Sequence, residues 1–372
     1  MARRRKDGKK ATAYFDYNLL FILIFLLCFG LVMLYSSSSY TSANLYDDSA
    51  HYLKLQFRNI LVGVIPMYFF ARVDYHFWKK FGFFAYFCSF ALCVLVMFPI
   101  PGLTRSSHGQ SRWLNLGPLS FQPSEFAKVA VILFLAWQIE RTKKATRGFG
   151  FMCRTILTLL PIIGLVGSNN LSTAIIILGI GGILIFVSNP GYLEFIGLGS
   201  AGAGFIAVFL AAESYRLERL AIWRNPEKYE KGFQTIQGLY AIGSGGIFGR
   251  GFGNSLQKLG FVPEAQNDMI FSIICEEMGA AGAIFLIFLF AMLLWRLGVA
   301  AMHAKDLAGA LICCGIMGHL ALQVILNIAV VTNTIPNTGI TLPFISYGGT
   351  SAVFLLGEMG LAMNVGKCDR IN

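Results

Sequence analysis

Residues 17–37 read YNLLFILIFLLCFGLVMLYSS, an uncharged stretch that is long enough to cross a lipid bilayer as a helix. The basic segment ARRRKDGKK at 2–10 precedes it, and no small-residue cleavage site follows it. Hydrophobic residues make up 56% of the chain and charged residues only 13%, whereas soluble domains carry about 25% charged residues. The sequence therefore excludes an ordinary soluble enzyme and a disordered protein, and predicts a retained first membrane helix.

Further apolar segments of similar length follow along the chain. We predict an all-α integral membrane protein with about ten spans. They lie at 17–37, 57–73, 81–100, 122–138, 151–168, 171–188, 193–212, 269–295, 307–331 and 344–366.

The positive charges predict the orientation of these spans. The net charge is +11, and most Lys and Arg residues fall in the N-terminal tail and in alternate short loops. Such loops are cytoplasmic under the positive-inside rule, so both termini are expected in the cytoplasm and no nucleic-acid partner is expected. The eight cysteines lack metal-type spacing and are interpreted as small apolar residues.

One outer segment, 213–268, is much longer than the others. It mixes both charges with Trp, Tyr and Phe, which argues against disorder, and long loops in compact proteins are usually functional. We therefore predict one membrane domain over 1–372, with a basic cytoplasmic tail at 1–16 and a large extracytoplasmic loop at 213–268 between the seventh and eighth spans.

Charged residues inside spans are costly and thus candidates for function. Glu125 and Lys128 are three residues apart at the start of the fourth span, so they share one helix face and can pair. A structural ion pair and a functional pair both remain open. Glu276 and Glu277 are expected near the middle of the membrane with polar partners in the bundle, and Glu358 is a similar case.

Asp268 immediately precedes the eighth span on the outer side. It could cap that helix by accepting hydrogen bonds from free N–H groups. It could also act in catalysis, because an apolar surrounding raises the pKa of a carboxyl group while a helix N-terminus lowers it. The sequence leaves both roles open.

Two further outer segments could bind a ligand. The stretch 336–351, PNTGITLPFISYGGTS, is too rich in Pro and Gly for a plain helix in lipid. It should fold back into the bundle and line an outer cavity, with Ser346 and Tyr347 among its lining residues. The stretch 215–226 predicts an amphipathic surface helix whose Arg216 and Arg219 could hold either a phosphate or lipid headgroups.

Three long stretches together resemble the SEDS family (shape, elongation, division and sporulation). They are SRWLNLGPLSFQPSEFAK at 111–128, LYAIGSGGIFGRGFGNSLQKLGFVPEAQNDMIF at 239–271, and PNTGITLPFISYGGTS at 336–351. The resemblance implies ten helices and a peptidoglycan glycosyltransferase that polymerises lipid II at the outer face of the bacterial cytoplasmic membrane. It places Asp268 at the family's essential outer-loop aspartate, and Glu125 and Lys128 at a pair lining the central cavity.

The resemblance also implies partners and a cellular role. A class B penicillin-binding transpeptidase and other divisome or elongasome proteins are expected partners, and the motifs look most like the division branch, at the septum. The chain departs from the family at Asn170, where an aspartate is usual, and at Thr338, where some division members have lysine. Gln266 and Asn267 replace the common His and Thr.

The implied mechanism gives Asp268 the role of general base or of ligand to a divalent cation, Mg²⁺ or Mn²⁺; no other cofactor is expected. Arg216, Arg219 or Lys258 would stabilise the leaving diphosphate. A lipid II flippase and a non-catalytic scaffold for a penicillin-binding protein are the alternatives. A flippase needs a polar path that reaches both faces of the membrane, whereas the motifs are expected to cluster in the outer half of the bundle, which favours the enzyme.

Overall fold

The computed structural model describes residues 12–14, 16–98, 100, 104–107, 110–116, 119–142, 149–188 and 214–370, with short helical pieces at 196–197, 199–200, 202–204 and 207–208. These residues contain eleven α-helices of 11 residues or more. They are α1 (Tyr17–Tyr46), α2 (His51–Arg72), α3 (Tyr75–Met97), α4 (Pro123–Arg141), α5 (Phe149–Asn169), α6 (Leu171–Ser188), α7 (Ser214–Arg224), α8 (Phe233–Gly245), α9 (Ile270–Met302), α10 (Leu307–Val331) and α11 (Gly349–Val365).

Strands are short and few among the described residues. β1 (Thr12–Tyr14) pairs antiparallel with β5 (Cys368–Arg370), which brings the two ends of the chain together. β2 (Thr104–Ser107), β3 (Gln110–Leu116) and β4 (Leu119–Phe121) form a three-stranded antiparallel sheet between α3 and α4. This sheet is not predictable from the sequence, because its residues are too few and too mixed to show a clear alternation.

The predicted apolar segments form helices. Six described helices, α1, α3, α5, α6, α9 and α10, are long and apolar enough to cross a membrane. Helices α2, α4 and α11 also occupy predicted spans, but their polar residues lower their hydropathy. The predicted seventh span, 193–212, lies mostly outside the described residues.

The centre of the bundle is formed by α4, α10 and α11. Helix α4 packs against α3 and α10, and α11 packs against α2. Almost every residue of α4 and of the second half of α11 is buried, including Glu125, Lys128 and Glu358. The most enclosed helices are therefore also those that carry ionisable groups.

Helix α9 is broken near its start. Gly279 has φ +68° and ψ −168°, which is not helical, and this interrupts the ladder of backbone hydrogen bonds. The outer segment replaces the lost bonds: Arg250 and Gly251 donate to the Glu276 and Glu277 carbonyls, while Ala280 and Ala281 donate to the carbonyls of 246 and 247. Backbone groups beside lipid must be paired, so the loop completes the broken helix.

Glu276 and Glu277 have polar partners within the bundle, as predicted. Ser36 of α1 and Lys258 contact Glu277 at 2.7 Å and 2.8 Å, and Ser255 donates to Glu276. At the start of α1, Asp16 pairs with Arg296 at 2.6 Å. The position of the two glutamates near the middle of the membrane stays a prediction.

Candidate active site

Asp268 lies where α8, α10 and the 336–351 stretch meet. Its side chain is 7% exposed, and its Oδ1 accepts a hydrogen bond from Gln234 Nε2 of α8 at 3.4 Å. Asn337 Nδ2, from the 336–351 stretch, donates to Gln234 Oε1 at 3.4 Å. Asp268 does not cap α9: the capping position is Met269, which makes no side-chain capping bond. The alternative structural role considered from the sequence is therefore wrong.

The pKa of Asp268 is raised to about 7, mainly by burial and also by the negative charge of Glu264, while Arg219 and Gln234 oppose this shift. A carboxyl group with a pKa near neutrality exists in both protonation states at physiological pH. It can therefore accept a proton from a hydroxyl group and release it again. Removal of the carboxyl group from water is the largest cause of the raised pKa, and its size could not be judged from the sequence.

Asn327 of α10 ties Asp268 to the 336–351 stretch. It is fully buried, and its Nδ2 donates to the Asp268 carbonyl at 2.8 Å and to the Ile340 carbonyl at 2.7 Å. Asn327, Gln234 and Asn337 were not among the residues predicted for the site. For Asn327 a signal existed, because it is the third polar residue at four-residue spacing after His319 and Gln323 in an otherwise apolar helix.

Glu125 and Lys128 form a buried ion pair, as predicted, with Nζ and Oε1 2.8 Å apart. Lys128 Nζ also lies 3.5 Å from Gln323 Oε1, and Gln323 Nε2 donates to the Thr341 carbonyl at 3.0 Å. A second buried pair lies beside it, where His319 Nδ1 is 2.8 Å from Glu358. Glu125, Lys128, His319 and Glu358 are thus enclosed together in the bundle.

Lys258 is held away from solvent by its own neighbours. Its Nζ donates to Ser36 Oγ at 3.0 Å, to the Gly253 carbonyl at 2.8 Å and to Glu277 at 2.8 Å, and its side chain is 7% exposed. An ammonium group has three donors, and all three are used within the protein. Lys258 therefore fastens the outer segment to α1 and α9, and the structure does not bring it to the Asp268 cluster.

Arg219 lies on the exposed side of α7, and its Nη1 donates to the Asn337 carbonyl at 3.1 Å. It acts electrostatically on Asp268, so these two predicted site residues are brought together. The backbone of Arg216 belongs to the same helix, but its side chain lies outside the described residues.

Ser346 and Tyr347 belong to a stretch that folds back into the bundle, as predicted. Ser346 Oγ accepts a hydrogen bond from the Leu342 amide at 2.8 Å, and its carbonyl accepts one from Gln56 of α2. The Tyr347 amide donates to the Gln266 carbonyl at 2.9 Å, and its ring packs against that of Tyr52, 4.9 Å away. Tyr347 is thereby joined to the segment that carries Asp268.

The departure at Asn170 has a structural explanation. Its Oδ1 accepts a hydrogen bond from the Thr173 amide at 3.2 Å, so it caps the start of α6. Asparagine and aspartate cap helices equally well, and the uncharged residue preserves this contact. In the same turn Ser172 donates to the Thr338 carbonyl at 2.9 Å.

A resident metal centre is not built from protein ligands in the described part of the chain. No group of three or more His, Cys, Asp or Glu residues there is arranged to hold a metal ion. Asp268 has the carboxylate of Glu264 nearby. That donor set fits Mg²⁺ only when substrate phosphates complete the coordination, which is how this ion is commonly bound.

These features define a multi-pass helical membrane protein with a buried aspartate between α8, α10 and the 336–351 stretch. Residues 17–371 match the family model described as a cell cycle protein, which covers FtsW, RodA and SpoVE. The chain belongs to this family. It is 39% identical over 360 residues to stage V sporulation protein E of Bacillus subtilis, covering 95% of this chain and 98% of that one. It is 35% identical over 366 residues to a probable peptidoglycan glycosyltransferase FtsW of Geobacter sp., covering 97% and 98%.

Solved structures agree with this assignment. One similar chain comes from a study of how a peptidoglycan synthase complex coordinates polymerization and crosslinking, with a TM-score of 0.79, 26% identity and coverage of 96% of this chain and 99% of that one. Another is the rod shape determining protein RodA of Thermus thermophilus, with a TM-score of 0.69, 26% identity and coverage of 96% and 98%. The fold is therefore RodA-like.

Proposed function

We propose that this protein is a peptidoglycan glycosyltransferase that polymerises lipid II, the undecaprenyl-diphosphate-linked disaccharide-peptide, and that Asp268 is its general base. The observation that carries the proposal is the burial of Asp268, which raises its pKa to about 7 beside three converging outer segments. The names of the relatives support the reaction class.

The chemistry requires one well-placed base. The acceptor's sugar 4-hydroxyl would attack the donor's anomeric carbon, and the bond from that carbon to the diphosphate would break. The hydroxyl proton would pass to Asp268, and the configuration at the anomeric carbon would invert. Because diphosphate is already a good leaving group, no second carboxylic acid is needed, unlike in glycoside hydrolases.

Positive charge beside Asp268 would stabilise the leaving diphosphate. Arg219 is suited to this role because it lies on the exposed side of α7 and acts electrostatically on Asp268. Arg216 belongs to the same helix and is a second candidate. Lys258 would contribute indirectly, by fixing the outer segment. A divalent cation held by Asp268, together with the diphosphate, would supply further charge neutralisation.

The proposed topology has about ten spans, with both termini in the cytoplasm and 213–268 outside. Asp268, Arg219 and the 336–351 stretch would then face the outer surface of the bacterial cytoplasmic membrane, where the sugars of the substrate are accessible. Glu125, Lys128, Ser346 and Tyr347 would line the cavity beneath. The basic tail at 1–16 would anchor the inner face.

We further propose a class B penicillin-binding transpeptidase as partner and a place among division-site proteins at the septum. A solved relative works as part of a peptidoglycan synthase complex, and several relatives carry the name FtsW. The similarity to a sporulation protein keeps that branch as the alternative cellular role.

The test is a gel assay of purified protein with labelled lipid II, with and without the transpeptidase and Mg²⁺ or Mn²⁺. Wild type should give glycan ladders that disappear in Asp268→Asn. Ser272→Ala on the next turn of α9 is the matched control, and it should retain the ladders. A well-folded wild type that binds lipid II but gives no ladder under any condition would refute the proposal. Lipid II translocation in vesicles would then test the flippase alternative.

A further inference from the structure

One face of α10 carries polar side chains at every fourth position, although the rest of the helix is apolar. His319, Gln323 and Asn327 are spaced so that they lie above one another on a helix. All three are at most 2% exposed. They span roughly 12 Å along the axis. This polar stripe runs from the His319–Glu358 pair to Asp268.

Gln323 and Asn327 both donate to the backbone of the 336–351 stretch, at adjacent residues. Asn327 Nδ2 donates to the Ile340 carbonyl at 2.7 Å, and Gln323 Nε2 donates to the next carbonyl, Thr341, at 3.0 Å. Each amide also has a second contact in the site: Asn327 with the Asp268 carbonyl, and Gln323 with Lys128 Nζ. A single rigid helix thus links the outer carboxylate, the buried ion pair and the 336–351 stretch.

We propose that Asn327 is a positioning residue, which fixes Asp268 and the backbone at Ile340 relative to each other so that the carboxylate is aimed at the acceptor hydroxyl. That this arrangement serves polymerisation rests on the function proposed above. The residues just before Asp268, 261–267, form turns and no regular helix or strand. Asn327 holds the backbone of Asp268 itself, whereas Gln234 contacts its carboxylate at 3.4 Å and the Tyr347 amide holds the backbone of Gln266.

Precise placement is what a general base needs, because a displacement of about 1 Å can reduce a rate by about 100-fold. Both N–H groups of the Asn327 side chain donate to carbonyls, one in each of two segments, so Asn327 links the two segments. A purely structural role, pairing buried carbonyls, would predict lower stability without a specific effect on the chemical step. The two roles are therefore separable by experiment.

The first measurement needs no substrate. In lipid nanodiscs, Asn327→Leu keeps the side-chain volume but removes both donors, and Asn327→Ala removes them without bulk. Ile325→Ala is the matched control, because Ile325 is on the same helix and 61% exposed. Hydrogen–deuterium exchange should increase at least tenfold in peptides covering 262–268 and 338–345 in both Asn327 variants, and remain unchanged in the control.

The second measurement is kinetic. In folded Asn327→Leu, kcat for lipid II polymerisation should fall at least tenfold while KM stays within twofold. The acid limb of the pH–rate profile should move to lower pH, because a loosened segment admits water to Asp268. Glu264 on the same segment and Arg219 on α7 are the charged groups that face Asp268, and both are retained in every variant.

Unchanged exchange in 262–268 would overturn the proposal, whatever the activity. Increased exchange with unchanged kcat and pH profile would also overturn it, because the tie would exist without serving catalysis. If the wild-type protein polymerises no lipid II, that result refutes the proposed function and not the role of Asn327. The exchange data would still decide whether Asn327 holds the two segments together.

Discussion

Gly279 of α9 and Gly249 of the outer segment lie in direct backbone contact. A Cβ added to Gly279 would come within 2.4 Å of the Gly249 nitrogen, and one added to Gly249 within 2.2 Å of the Glu277 carbonyl oxygen. Both residues also have positive φ, +68° and +78°, which side chains strongly disfavour. This contact is where the outer segment enters the broken helix, so no other residue type fits at either position.

Gly279→Ala should therefore be strongly destabilising. The added methyl group would force the two backbones apart and break the four hydrogen bonds that complete α9, so we expect a loss of about 3 kcal/mol or more. Gly298→Ala in the same helix is the matched control, since its Cβ would meet only the Met317 sulfur at 3.7 Å. That control should be neutral or slightly stabilising. Melting temperatures in detergent would decide, and equal values for the two variants would contradict the interpretation.

The activity of the protein should depend on pH through Asp268. If it is the base, kcat/KM should rise with pH up to about 7 and then level off, because the ionised form is the active one. Glu264→Gln removes a negative charge that raises the pKa of Asp268, so the acid limb should move to lower pH. Arg219→Gln removes a positive charge that lowers it, so the limb should move to higher pH. Shifts in the same direction would show that another group controls the profile.

The buried carboxyl group should also affect stability. Because the pKa of Asp268 is raised from 3.8 to about 7 on folding, the folded state disfavours its ionised form. Its contribution to stability is therefore complete below about pH 4 and is lost as the pH rises to about 7. Asp268→Asn removes this penalty, which amounts to at most about 4 kcal/mol above neutral pH. The melting temperature of the variant should exceed that of wild type at pH 8 by more than at pH 5.

If the melting temperatures of Asp268→Asn and wild type differ equally at pH 5 and pH 8, folding does not raise the pKa of Asp268. The comparison needs no substrate, so it tests the environment of the carboxyl group independently of its chemical role. It also shows that a loss of polymerisation in Asp268→Asn does not arise from unfolding, since the variant should be the more stable protein.

Much of the fold could be predicted from the sequence, because membrane spans are long, uninterrupted and apolar. The predicted spans 171–188 and 307–331 coincide with α6 and α10. The break at Gly279 could not be predicted, because a glycine within an apolar run is also common in regular membrane helices. It depends on the outer segment, which supplies hydrogen bonds from residues about 30 positions earlier in the chain.

The candidate site was only partly predictable, for a related reason. Glu125 and Lys128 pair locally, three residues apart, and such pairs are visible in sequence. Whether Asp268 would cap a helix or lie buried beside Gln234 depended on tertiary contacts from α8 and α10. Other tertiary contacts determine that Lys258 pairs with Glu277 of α9 and that Arg219 donates to the Asn337 carbonyl.

The Glu125–Lys128 pair provides the last prediction. Both side chains are less than 10% exposed, and their atoms are 2.8 Å apart. Removing one partner leaves an uncompensated buried charge, which costs about 3–5 kcal/mol, whereas removing both leaves none. Glu125→Gln and Lys128→Met should therefore each destabilise the protein more than the double variant does. A double-mutant cycle of melting temperatures measures this coupling.

Additive effects of the two substitutions would show that the ions do not depend on each other. Polymerisation distinguishes the two roles that the sequence left open for this pair. A structural pair predicts that the double variant recovers activity along with stability, because the charges matter only to each other. A pair that contacts substrate in the cavity predicts a stable double variant without activity. We expect this second result, because Gln323 links Lys128 to the 336–351 stretch, and Asn327 links the same stretch to Asp268.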